Sequence, residues 1–139
     1  MFGTSSSFGR TQFFLERGMD AGMLRQSVIA DNIANADTPY FKRSDVTFES
    51  QLARAINSHS KEPCPAALTD RRHIPFYEPM DFRTVRARIQ IEHGTNIRND
   101  KNNVDIEKEV IDATKNMLRY NAMAQRIDKN YKNLQMLLR

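Results

Sequence analysis

The sequence predicts a mainly α-helical chain. Long N- and C-terminal helices pack as a coiled-coil-like pair, and a loop-rich middle segment between them contains a short β strand or hairpin. Three observations carry this. Apolar and aromatic residues recur from Ile106 to Leu138 at alternating steps of four and three. A second, less regular helical stripe runs from about Thr11 to Asn35. Between the two, the segment His59–Asn103 holds all three histidines and all the prolines except Pro39. The expected organisation is a polar, disordered stretch over 1–10, an N-terminal helix, turn and short helix over 11–57, a loop-rich middle over 58–103 and a long helix over 104–139.

The C-terminal pattern is the clearest. Ile106, Val110, Ala113, Met117, Tyr120, Ala124, Ile127, Tyr131, Leu134 and Leu138 form one apolar seam of coiled-coil type. Asp105, Glu107 and Glu109 occupy the first turn, where negative charge suits the positive end of the helix dipole. Asn103 or Asp105 can cap it. The helix would be roughly 50 Å long at 1.5 Å per residue.

The N-terminal stripe uses Leu15, Met19, Gly22, Ile29 and Ile33, with Gln26 as the polar exception and Met23 and Ala30 widening it. Gly18 and Gly22 each cost about 1 kcal/mol of helix propensity relative to Ala. They are tolerable if another helix approaches closely there. The helix should stop near Asn35, a residue type that accepts the left-handed position past a helix end. Pro39 pushes Thr38 out of the helical region, and Asp37 and Thr38 can satisfy loose donors in the turn. Beyond it Val46 and Phe48 alternate as in a strand, and Leu52, Ala55 and Ile56 fit one face of a short helix.

In the middle segment, Val85, Ala87, Ile89 and Ile91 alternate with Arg86, Arg88, Gln90 and Glu92. Period two argues for a half-buried strand near 84–92. Its partner is open: a hairpin with nearby residues, or a strand across a subunit boundary.

Composition excludes several classes. The 139 residues favour one domain, and a mean hydropathy of -0.65 is lean for a large independent core. The net charge of +4 is dispersed, with no run of five cations, which argues against a nucleic-acid surface. No apolar segment is long enough to span a membrane, and the polar start "MFGTSSSFGR" lacks the core of a cleavable secretory signal. His59, His73 and His93 are scattered, Cys64 is the one cysteine, and no metal-binding or catalytic spacing accompanies them. No enzyme, cofactor or metal is expected. Arg71 and Arg72 near "HIPFYEP" read as a packed loop.

Two stretches carry a family resemblance. "DNIANADTPYFKRSDVTFES" closely resembles the N-terminal signature of the bacterial flagellar axial proteins, the rod and hook family. "NNVDIEKEVIDATKNMLRYNAMAQRIDKNYKNLQMLL" resembles that family's C-terminal helix. The match covers about residues 11–57 and 99–138, and looks most like the proximal-rod member. One departure is Tyr40, where the family has Gly after Thr-Pro. Gly takes positive φ at no steric cost, so either the turn differs or Tyr40 makes a contact of its own.

The resemblance implies a structural subunit of the proximal rod of the flagellar basal body, located in the periplasmic rod. It would be exported by the flagellar type III apparatus, and polymerise through its terminal helices into an open helical oligomer that transmits torque. Implied partners are other rod proteins and the adaptor joining rod to membrane ring, with no nucleic acid and no membrane insertion. The turn residues Asn32, Ile33, Asn35, Thr38, Pro39, Tyr40, Phe41 and Lys42 would face neighbouring subunits. The alternatives are another rod or hook-basal-body protein, or a generic coiled-coil interaction protein. Helices that order fully only on assembly would suit such a subunit.

Overall fold

A computed structural model describes residues 7–59, 69–70, 72–73, 80–94 and 99–138. Among the described residues the helical elements are α1 (Ser7–Ala34), α2 (Glu49–His59) and α3 (Ile106–Leu137), with a 3-10 turn at Phe82–Thr84. The strands are β1 (Ser44–Thr47) and β2 (Arg88–Ile91). Two compact units divide the chain: residues 1–46 with 87–139, and residues 47–86. The mainly α class and the two long terminal helices are as expected. The first helix begins earlier than its pattern suggested, since Ser7–Arg10 already belong to α1. Cys64, Arg71 and the segment around Tyr77 lie outside the described residues.

In the first unit α1 and α3 run antiparallel. Gln12 near the start of α1 meets the Tyr131 hydroxyl near the end of α3 at 3.5 Å. Asn32, near the end of α1, meets Glu109, near the start of α3, at 3.1 Å. Midway the helices approach closely at the two glycines. A Cβ on Gly18 would lie 2.8 Å from Met123 Sδ, and one on Gly22 3.5 Å from the Tyr120 ring. The Gly22 carbonyl accepts from Asn116 Nδ2 at 2.9 Å, and that same amide reaches Gln26 Oε1 at 3.2 Å. A buried asparagine bonded across a helix pair sets the register, because any slip leaves its amide unpaired.

The faces that meet differ from the expected stripes. In α1 the buried residues are Gly9, Ala21, Gly22, Val28, Ile29 and Asn32. Ile33 and Met23 lie outside the contact. In α3, Ala113, Tyr120, Ala124, Ile127 and Leu134 of the expected seam are half-buried. Ile106, Val110, Met117, Tyr131 and Leu138 are exposed, Met117 by 63% and Leu138 by 86%. The positions taken instead are Glu109 and Asn116, both buried, with Met123 and Asn130 half-buried in the same row. The α3 face is therefore turned by part of a turn. The expected seam counted every apolar residue, but α1 covers one flank of it and meets a partly polar row there.

α3 is capped by Asp105, whose carboxylate accepts from the Glu107 and Lys108 amides at 3.0 and 3.3 Å. The strands pair with each other. Glu92 N–H donates to the Arg43 carbonyl at 2.9 Å, one residue beyond the end of β2 and one before the start of β1. That makes the pair antiparallel and resolves the open partner of the strand near 84–92 within the chain. Its expected half-burial fails: Val85 is buried, but Ile89 and Ile91 are 54% and 50% exposed. In the second unit Ala55 of α2 is fully buried, and the Ser58 hydroxyl accepts from the Met80 amide at 2.9 Å and donates to the Ala55 carbonyl at 2.6 Å. Leu52 is half-buried, and Ile56 is exposed rather than on the packed face.

The glycines give a direct check on the helix contact. Gly22→Ala places its methyl at an ordinary contact distance, so the gain in helix propensity should survive as up to about 1 kcal/mol of added stability. Gly18→Ala must displace the Met123 thioether and should be near neutral. Urea titrations followed by circular dichroism would measure both, and a loss above about 1 kcal/mol for Gly22→Ala would contradict this packing.

Candidate functional site

The turn after α1 is built by local bonds, side chain and backbone. Asn35 Nδ2 returns to the Asp31 carbonyl at 2.8 Å, and Thr38 Oγ1 donates to Asn35 Oδ1 at 3.3 Å. Thr38 to Phe41 form a β-turn closed by Phe41 N–H on the Thr38 carbonyl at 3.3 Å. Pro39 holds its second position and Tyr40 its third, with φ 63°. Proline followed by a positive φ is the type II arrangement, which favours glycine at that third position. Asn35 does not take the left-handed conformation expected of it. Tyr40 does, at a cost of about 1–2 kcal/mol for a residue with a Cβ.

A second loop holds Tyr40 there. Tyr40 N–H donates to the Asp100 carbonyl at 3.0 Å, and Lys101, itself at φ 62°, places its ammonium 5.9 Å from the centre of the Tyr40 ring. Lys42 Nζ donates to the Lys101 carbonyl at 2.8 Å. Next to it, the fully buried Asn102 amide shares its two hydrogens among the carbonyls of Asn35, Ala36 and Thr38 at 3.1, 3.0 and 2.9 Å. These are acceptors near the end of α1, where a helix leaves carbonyls unmatched. The cap of α1 thus comes from a residue 67 positions downstream.

Beneath the turn lies a buried charge pair. Arg43 Nε donates to Glu109 Oε1 at 2.6 Å, and Glu109, with no exposed surface, takes Asn32 Nδ2 on its other oxygen at 3.1 Å. Asp112, Glu92 and Asp45 lie 3.5–3.9 Å from the guanidinium. Burial works against the charge on Arg43, but the Glu109 hydrogen bond and charge, helped by Asp45 and Glu92, outweigh it and raise its pKa above the ordinary arginine value.

Two asparagine amides join this pair to the strands. Asn32 accepts from the Ser44 amide at 3.0 Å and donates to the Ser44 carbonyl at 2.8 Å, pairing with β1 as a neighbouring strand would. Asn103 accepts from Arg43 N–H at 2.6 Å and donates to the Glu92 carbonyl at 2.8 Å, replacing one rung of the ladder between β1 and β2.

The predicted turn residues therefore divide. Asn32 is only 1% exposed and is spent inside the chain, so it cannot face a neighbouring subunit as expected. Its amide does meet backbone, but the backbone is its own. Asn35, Phe41 and Lys42 are half-buried, while Ile33, Thr38, Pro39 and Tyr40 are exposed, Tyr40 by 71%. Sequence reasoning missed Arg43, Asn102 and Asn116, and read Asn103 only as a possible cap of α3. It read Glu109 as a first-turn charge suited to the helix dipole, not as a buried residue. The available signal was a polar residue at 109 and again at 116, one heptad apart beside an apolar row.

Beside this site, Met23, Ala113, Met117 and Tyr120 line an open apolar groove of about 420 Å³ floored by Gly22 and Asn116. Among the described residues no group of three or more His, Cys, Asp or Glu could hold a metal ion.

Comparison with known proteins now decides the family. A family model described as flagella basal body rod protein matches residues 14–42, the second part of α1 and the turn. The flagellar basal body rod protein FlgB of Borreliella burgdorferi is 34% identical over 134 residues, 96% of this chain and 99% of that one. The chain belongs to the FlgB family of flagellar basal body rod proteins. The FlgB proteins of Borrelia hermsii (33% identical, covering 88% of this chain and 91% of that one) and Bacillus subtilis (29%, covering 96% of each) extend the similarity. The matched segment includes the turn, and in this chain the turn is held by residues 100–103, about 60 positions downstream.

Two substitutions test the site. Glu109→Ala leaves Arg43 buried without its closest partner and should cost about 3–5 kcal/mol in denaturant unfolding. Tyr40→Gly relieves the left-handed strain but adds freedom to the unfolded chain, for a net gain of about 0.5–1 kcal/mol. Tyr40→Ala, which keeps a Cβ at φ 63°, should show no such gain.

Proposed function

We propose that this chain is a structural subunit of the proximal rod of the flagellar basal body, and that it assembles through the flanks of α1 and α3 that it leaves uncovered. Membership of the rod family supports the first part. The second rests on one observation: Val110, Met117 and Leu138 continue the apolar seam yet are half or more exposed. Left in water they contribute nothing to the folded chain. Covered by a neighbour, each large side chain adds about 1.5–3 kcal/mol.

Packing of one copy's uncovered flank on a different surface of the next is a heterologous contact, which grows an open helical array. Exposed Ile33 in the last turn of α1, with Thr38, Pro39 and Tyr40 beyond its end, can meet a neighbour alongside. The rod proteins, the adaptor between rod and membrane ring, and the flagellar export apparatus are the partners this reading assigns. Torque passes through the packed helices, and the role is mechanical, not catalytic.

Deletion of the gene, complemented by the natural chain or by Val110→Glu with Met117→Glu, tests the reading. Both positions are half or more exposed, so the variant should fold with unchanged helicity. The expected result is membrane rings without a rod in electron micrographs of the deletion and the variant, with rods and motility restored by the natural chain. Rods in the deletion would overturn the rod assignment. Normal rods in the double variant would remove the flank from the interface.

A further inference from the structure

We infer that the outer edge of β2 pairs two copies of the free subunit, Arg88–Ile91 of one chain lying antiparallel to Arg88–Ile91 of the other. The inference stands on the strand's own geometry, independently of the rod reading. Among the described residues β2 has one neighbour, β1, and a two-stranded sheet is marginal in water.

The ladder fixes which groups point outward. Glu92 bonds to Arg43, so the even-numbered residues of β2 direct their backbone groups towards β1. The amides and carbonyls of Ile89 and Ile91 then point to the open edge. Their side chains are half exposed on the face that also carries Val46, which is buried.

The strand is complementary to itself in one register. The segment Arg88-Ile89-Gln90-Ile91-Glu92, laid antiparallel on its copy about Gln90, sets Ile89 opposite Ile91 twice and Arg88 opposite Glu92 twice. The outward groups of Ile89 meet those of Ile91, giving four backbone hydrogen bonds with the parity an antiparallel ladder needs. Opposite charges and apolar pairs directly across the strands each add stability. A shift of two residues in either direction puts Ile89 opposite itself or Ile91 opposite itself and loses the double charge match. The joined sheet has the order β1–β2–β2–β1 about a two-fold axis, with four isoleucines clustered on one face.

This contact is isologous and closes at two copies, whereas axial growth needs head-to-tail contacts. It therefore belongs to the subunit before it is built in, and competes with polymerisation. The shared surface is small, so the dimer is weak and exchanges in solution.

Cysteine cross-linking of the full chain reads the register. In a Cys64→Ser background, Gln90→Cys faces its own copy across the axis at a Cα separation near 4.5 Å, within disulfide reach. Ile89→Cys faces Ile91, not itself. The expected result is a disulfide-linked dimer for Gln90→Cys and for a mixture of Ile89→Cys with Ile91→Cys, and at least about tenfold slower linking for Ile89→Cys alone.

Sedimentation of the natural chain gives the second measurement: concentration-dependent monomer–dimer exchange, weakened at least about tenfold by Arg88→Glu, which puts like charges opposite at both ends. A folded Gln90→Cys that stays monomeric under oxidation overturns the inference. So does equal linking at positions 89 and 90, or a natural chain that is monomeric at all concentrations.

Discussion

The first unit depends on one buried ion pair. Glu109 is wholly enclosed, and Arg43 reaches it at 2.6 Å. Two charges taken out of water are costly, and their attraction compensates only when every remaining hydrogen-bonding site finds a partner. Asn32 supplies that partner for the second carboxylate oxygen. The backbone of Arg43 is held by Asn103, and the strand next to it by Asn32. Helix α1, the turn, β1, β2 and α3 thus converge on one carboxylate, and displacement of any of them leaves a buried polar group unmatched. Such a network contributes less to net stability than an apolar core of the same size. What it supplies is a single allowed arrangement.

That constraint explains why the helix contact is narrow. With Glu109 and Asn116 in the buried row of α3, and Asn32 closing the buried row of α1, part of the inner face goes to polar contacts. The apolar flank of α3 is left outside, together with the groove beside Met23 and Met117. A protein built to act alone would lose stability by this choice. On the proposed reading, a subunit of an axial structure keeps this apolar flank for its neighbours, while its own register is set by polar groups that tolerate no slip.

The turn illustrates the same economy at smaller scale. Its backbone is satisfied by a downstream loop, with Asn102 on the carbonyls at the end of α1 and Asp100 on the Tyr40 amide. The two left-handed residues, Tyr40 and Lys101, stand against each other, ring to ammonium. Strain in one loop is held by bonds from the other, so the N- and C-terminal stretches that identify the family are also the two halves of one local structure.

Much of this was legible from the residues. Helical periodicity located both long helices, the stretch Asn35 to Pro39 located the stop, period two located β2, and Asp105 was recognisable as a cap. These are local properties, decided by backbone preference and by spacing along one element. The two family stretches were legible for the same reason. The partner of each face was not. Periodicity ranks residues by hydropathy, and so assigned Ile33 and Val110 to the inside and left Glu109 out of the seam. Only the tertiary structure decided that Asn32 and Glu109 lie within, because a buried carboxylate becomes tolerable only beside a specific guanidinium 66 positions away. It likewise decided that Tyr40 takes the glycine conformation, since the bonds that hold it there come from a loop the local sequence does not contain.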